Sequence, residues 1–243
     1  MSEERNMNRE SDTGRRQFLG NSAKLALLSG VAGLGFWTGC KDDGNKEVSP
    51  PEDLMQEHGI LNRIILIYDT CRINLINKIT FHEEGLLDAA SITRKFIEEY
   101  HERQEEQYIF PRFEKANQQT ELVAVLRRQH DVGRMLTSTV LHLGKSGNRT
   151  ESEQEKLIQA LASFSSMFRP HEAREDTVLF PAFRKIVSGH EYDSLGEEFE
   201  KNEHRLFGQD GFAHVVDRIS GIEQSLGIYD LDQFTPSGKM DGI

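Results

Sequence analysis

The sequence predicts an all-α protein: an up-and-down four-helix bundle made of two similar helical hairpins, followed by short C-terminal helices. Three observations predict it. Apolar residues recur at three- and four-residue steps through residues 53–187, and no stretch alternates as a strand does. Prolines are few, six in 243 residues, and four of them fall at Pro50-Pro51, Pro111 and Pro181, the last two inside or near the ends of their helices. A long frame also occurs twice. His101-Glu102-Arg103-Gln104-Glu105-Glu106 precedes Phe110-Pro111-Arg112-Phe113, and His171-Glu172-Ala173-Arg174-Glu175-Asp176 precedes Phe180-Pro181-Ala182-Phe183.

Composition agrees with amphipathic helices that keep a wet outer face, with 37% hydrophobic and 28% charged residues. The net charge of −11, with no basic stretch in the body, argues against nucleic acid as a partner. The two cysteines are Cys40 and Cys71. Cys40 falls at the end of a leader, so Cys71 stands alone in the body and no disulfide framework or thiolate metal site is available.

Residues 1–40 read as an export signal. A polar start leads to Arg15-Arg16-Gln17-Phe18-Leu19, then to a short apolar run rich in Gly and Ala. The run is too short and too glycine-rich for a spanning helix. The arginine pair with Phe-Leu after it resembles a twin-arginine signal, which implies export across the bacterial inner membrane by the twin-arginine translocation machinery. Thr38-Gly39-Cys40 resembles the end of a lipoprotein cleavage box, although Trp37 stands where an aliphatic residue is usual. The alternatives are therefore a periplasmic protein and one held to the membrane by a lipid anchor on Cys40. Residues 41–52 have no periodicity and read as a flexible linker.

The body then divides into helices over about 53–80, 84–116, 119–143 and 151–187, with a polar loop at 145–150. Helix three carries Leu122, Val125, Leu126, Val132, Met135, Leu136, Val140 and Leu143 on its apolar positions. Residues 188–243 form an extension with two shorter helices, about 192–206 and 211–226, and a tail. Pro111 and Pro181 each lie ten residues after a motif histidine, which predicts a matched kink or stop in both helices.

The duplication is wider than the motif. His58 precedes His101 by 43 residues, and His130 precedes His171 by 41. Each hairpin thus carries one histidine on its first helix and His-x-x-x-Glu on its second. Residues four apart lie one above the other on a helix, so each His–Glu pair faces a single point. Docking the hairpins brings His58, His101, Glu105, His130, His171 and Glu175 into one core. Four imidazoles and two carboxylates without thiolate suit iron, manganese or zinc rather than magnesium or calcium. His82, His142, His190, His204 and His214 have no such context and read as ordinary histidines.

At this point residues 53–187 resemble a hemerythrin-like, HHE cation-binding domain. His58, the His101/Glu105 pair ending in Phe110-Pro111, His130, and the His171/Glu175 pair ending in Phe180-Pro181 carry the resemblance. It implies two iron ions, oxo-bridged, with Glu105 and Glu175 as bridging carboxylates; manganese and zinc are the alternatives. It also implies O2, NO or peroxide as the small-molecule ligand. One position departs from the oxygen carriers of that family: Arg134 stands where they place a second histidine, four residues after His130. Two six-coordinate ions offer about twelve positions, and four histidines, two bridging carboxylates and one oxo bridge fill about ten of them. Glu102 and Glu172 point about 100° away from the motif histidines around the helix. They are expected in the surroundings of the ligands, with Arg134 as a partner for one of them. The functional expectation is an exported di-iron protein that binds or senses O2, NO or a related molecule. The alternatives are a di-iron peroxidase or oxidase and a metal-free helical interaction module.

Overall fold

The computed structural model describes residues 49–145 and 149–236; the twin-arginine pair Arg15 and Arg16, Cys40, and linker residues 41–48 lie outside them. The described residues form six helices and no strand. These are α1 (Pro50–Ile76), α2 (83–116), α3 (Thr120–Leu143), α4 (151–183), α5 (Gly189–Phe207) and α6 (Gly211–Ser225), with one 3₁₀ turn at Leu231–Phe234. None of the described helices is long and apolar enough to cross a membrane.

Local chemistry sets the helix ends. Glu52 Oε2 accepts from the backbone N–H of Ser49 at 3.1 Å, and Pro50 and Pro51 open the helix where no intrahelical N–H bond is needed. Residues 49–52, expected in the linker, are therefore the cap and first turn of α1. The same helix stops at Ile76 rather than near 80, because Lys78 turns the chain with a φ of 55°. Thr150 and Glu153 make a reciprocal capping box at the start of α4, with bonds of 2.8 and 3.3 Å. That helix ends at Phe183, four residues short of the expected 187.

Pro111 and Pro181 neither stop their helices nor sit at plain kinks. Each follows a π-helical turn, Glu105–Ile109 in α2 and Glu175–Leu179 in α4. In both, the N–H of the Phe before the proline bonds five residues back, to the carbonyl of Glu105 or Glu175. The widened turn takes up the bonding gap that a proline creates inside a helix. A second π segment, Thr93–His101, lies earlier in α2.

The four long helices pack as a ring, with α1 against α2 and α4, and α3 against α2 and α4. Their apolar stripes make two clusters. One holds Tyr68, Phe96, Phe164 and Phe168; the other holds Leu54, Phe110, Phe113, Phe180 and Phe183. Helix α3 buries a narrower stripe than its apolar spacing suggested, since Val125 and Met135 are exposed. The C-terminal helices close the assembly. Tyr192, Leu195 and Phe199 of α5 join the Phe-Pro end, while Val215, Ile219 and Ile222 of α6 join the other cluster. Arg63 of α1 ties α6 down through Glu223 at 2.5 Å and Ser220 at 2.9 Å.

Candidate metal centre

All six expected donors meet inside the bundle. His58 comes from α1, His101 and Glu105 from α2, His130 from α3, and His171 and Glu175 from α4, and each is at most 3% exposed. They form two overlapping groups: His58, His101 and Glu105 in one, and Glu105, His130, His171 and Glu175 in the other. Each carboxylate lies between two imidazoles. Glu105 Oε1 is 3.8 Å from His101 Nε2, and its Oε2 is 3.4 Å from His130 Nε2. Glu175 Oε2 is 3.4 Å from His58 Nε2 and 3.1 Å from His171 Nε2. Two donors on one ion at about 2.1 Å stand roughly 3.0–3.4 Å apart for octahedral or tetrahedral angles. Three of the four separations fall at or near that range, and the fourth, at His101, is somewhat longer.

The other nitrogen of every ring is tied down. His58 Nδ1 is 2.8 Å from Asp176, His101 Nδ1 is 2.8 Å from Glu57, His130 Nδ1 is 3.0 Å from Glu106, and His171 Nδ1 is 3.0 Å from Gln129 Oε1. An Nδ1–H donated outward leaves the Nε2 lone pair facing inward, which is the tautomer a metal needs. The pattern repeats by halves. The residue before each first-helix histidine (Glu57, Gln129) holds the motif histidine of its own hairpin. The residue after each motif glutamate (Glu106, Asp176) holds the first-helix histidine of the other hairpin.

The repeated Phe-Pro ending takes part as well. Phe180 stacks on His58 with centroids 5.7 Å apart, and Phe110 stacks on His130 at 5.5 Å. Each again reaches across to the opposite hairpin. Phe168 meets His171 edge-on at 5.2 Å. Tyr100, next to His101 in sequence, packs instead against Phe96 and Phe207.

Glu102, Glu172 and Arg134 hold a different station from the ring partners. Arg134 donates to Glu102 at 2.7 Å and to Glu106 at 2.6 Å. Asn62, the residue equivalent to Arg134 in the first hairpin, donates to Glu172. Both glutamates are buried, and each keeps one buried oxygen without a hydrogen bond. The partners of the ring nitrogens are the residues that sequence reasoning missed. The signal was present in the paired positions Glu57/Gln129 and Glu106/Asp176, each adjacent to a candidate ligand in both copies.

Burial and close neighbouring charges shift the titration of several of these groups. Burial opposes charge on His58, but Asp176 and Glu175 on its two sides hold its pKa at about 10. Burial pushes His130 down to about 4, with Glu106 opposing. Burial, and then the neighbouring Glu175, push Glu105 well above the usual carboxylate range. Burial also works against the charge on Glu175, yet His171 and His58 hold it well below that range. Burial raises Glu172 to about 8. Both oxygens of Glu105 and of Glu175, and the Nε2 atoms of His58 and His130, are buried without a hydrogen bond. Orphaned donors of this kind, all aimed at one another, fit cations between them.

Fold and donor set together define a helical bundle with a buried His/Glu cation site. Residues 49–183 match the family described as Hemerythrin HHE cation binding domain, and the chain belongs to that family. Among curated proteins it is similar to proteins of Mycobacterium bovis and of two strains of Mycobacterium tuberculosis that are named as uncharacterized proteins. Each is 44% identical over 236 residues, which is 92% of this chain and 91% of the relative. No solved structure matches the chain.

Proposed function

We propose that the protein is a non-haem di-iron protein that binds or senses O2, NO or a related small molecule. One observation carries the reading: Glu105 and Glu175 each stand between two imidazoles that belong to different helices. A carboxylate so placed could be shared by two ions. His58 and His101 would hold one ion, His130 and His171 the other, and the two glutamates both. Iron would supply a reducible centre with room for a small ligand; manganese or zinc fit the same donors but are second choices. The chain's own residues do the rest. Four Nδ1 anchors hold the rings, Phe110 and Phe180 cover two of them, and the two apolar clusters keep bulk water out.

Arg134 favours a second reading, a peroxidase or oxidase. A histidine there would offer the second ion one more nitrogen, whereas the guanidinium is spent on Glu102 and Glu106 and donates nothing to a metal. More positions stay open for substrate. Export belongs to the same proposal: Arg15 and Arg16 would be read by the twin-arginine machinery, and Cys40 would remain free or carry a lipid anchor.

Metal analysis after anaerobic purification tests the core claim. About two iron ions per chain are expected, and fewer than about one metal of any kind refutes it. His101→Ala should lose metal; full retention would remove His101 from the ligand set. Adding O2, NO or peroxide and following the visible spectrum then separates the readings. A stable, reversible change marks a binding protein, and turnover with an added reductant marks an enzyme. Fractionation of cells carrying Arg15→Lys/Arg16→Lys should show retention in the cytoplasm.

A further inference from the structure

We propose that the two halves of the centre are electronically unequal, and that the His58/His101 half takes the first cation because of Glu57. The inference rests on the two-ion reading above and adds which half binds more tightly and why. Glu105 and Glu175 each reach an imidazole of both halves, although the close donor group around His130 and His171 holds both glutamates and that around His58 and His101 holds Glu105 alone; the inference rests on the ring anchors instead. The difference lies in what holds Nδ1. His101 donates to a carboxylate, Glu57, which is fully buried, and His58 donates to another, Asp176, at the edge of solvent. In the other half His171 faces a neutral amide, Gln129. His130 does face a carboxylate, Glu106, but the oxygen it contacts, Oε1, also accepts from Arg134 at 2.6 Å.

A carboxylate on Nδ1 pulls the N–H proton toward itself and makes Nε2 a stronger donor. An amide oxygen does so less. A carboxylate oxygen shared with a guanidinium also does so less, because its charge is already engaged. Two pairs of equivalent positions in the hairpins thus differ in charge, although Glu106 and Asp176 do not. Glu57 stands against Gln129, and neutral Asn62, which serves Glu172, stands against charged Arg134, which serves both Glu102 and Glu106. The fold is nearly two-fold symmetric, while its polar groups are not. Burial of Glu57 makes its contribution the larger, since solvent screens Asp176 more.

The test is a titration of metal-free protein with Zn²⁺, followed by ¹⁵N NMR of labelled imidazoles. The first equivalent should move His58 and His101, and the second His130 and His171. Glu57→Gln keeps shape and should weaken the first step about tenfold or more, the usual effect of removing a ligand's anchor. The double variant Glu57→Gln/Gln129→Glu should reverse the order of filling. Simultaneous movement of all four rings in the wild type overturns the inference, as does an unchanged order in the double variant. If the variants fail to fold by circular dichroism, the order in the wild type decides alone. Less than about one Zn²⁺ bound in total would instead overturn the metal-centre reading, and this inference with it.

Discussion

Replacing Glu172 with glutamine should stabilise the metal-free protein, and by an amount that depends on pH. Glu172 is 3% exposed, and burial holds its pKa at about 8 in the folded chain, against an ordinary value of 4.5. The folded pKa is raised, so the folded state holds a proton that the unfolded state releases. The stability this group contributes is fully present below pH 4.5 and is lost as pH rises through about 8. At pH 7 the loss spans about 2.5 pKa units at 1.36 kcal/mol each, or about 3 kcal/mol. Glutamine carries no charge to desolvate and still offers an oxygen to the Asn62 amide. Its gain should therefore be about 3 kcal/mol at pH 7 and just under about 1 kcal/mol at pH 5. For a protein of this size that is a rise in Tm of roughly 6–12 °C at pH 7. Thermal unfolding of metal-free parent and variant, followed by circular dichroism at both pH values, measures it. An equal gain at both pH values, or a less stable variant at pH 7, would refute the reasoning.

Other expected outcomes test neighbouring parts. Arg134→Leu removes the partner of Glu102, which is 1% exposed, and of Glu106; denaturant unfolding should register a loss of about 2 kcal/mol, reduced from a fully buried pair because Arg134 is partly solvated. Metal loading should release protons and tighten as pH rises from 6 to 9, because His58, with a pKa of about 10, must give up a proton to bind; calorimetry in two buffers of different ionisation enthalpy detects this, and a pH-independent affinity would contradict it. Gly133→Ala places a Cβ 2.7 and 2.9 Å from two ring atoms of Phe168. Overpacking of that kind costs about 1–3 kcal/mol, and because Phe168 packs on His171, metal retention should fall along with the urea midpoint.

Much of this protein was legible in its chain. A 3.6-residue period puts residues four apart on one face, so His101 with Glu105 and His171 with Glu175 could be paired before any fold was known. The duplication then called His58 and His130 to the same core, and all four helices lie close to where the apolar spacing puts them. The sequence alone determined the candidate donors, because a helix fixes which side chains share a face, and the repeat fixes how many faces there are. What it left open depends on contacts between segments distant in the chain. The π turns at Glu105–Ile109 and Glu175–Leu179 have no period of their own, and only the prolines hinted at them. Glu102 and Glu172, off the ligand face by rotation, are nonetheless buried, because in a closed bundle the neighbouring helices cover more than one stripe. The links from Asp176 to His58, 118 residues apart, and from Glu106 to His130 cross between hairpins. Such a contact is set by how two hairpins dock, and no local rule encodes docking. Only the tertiary structure could decide which carboxylate serves which ring.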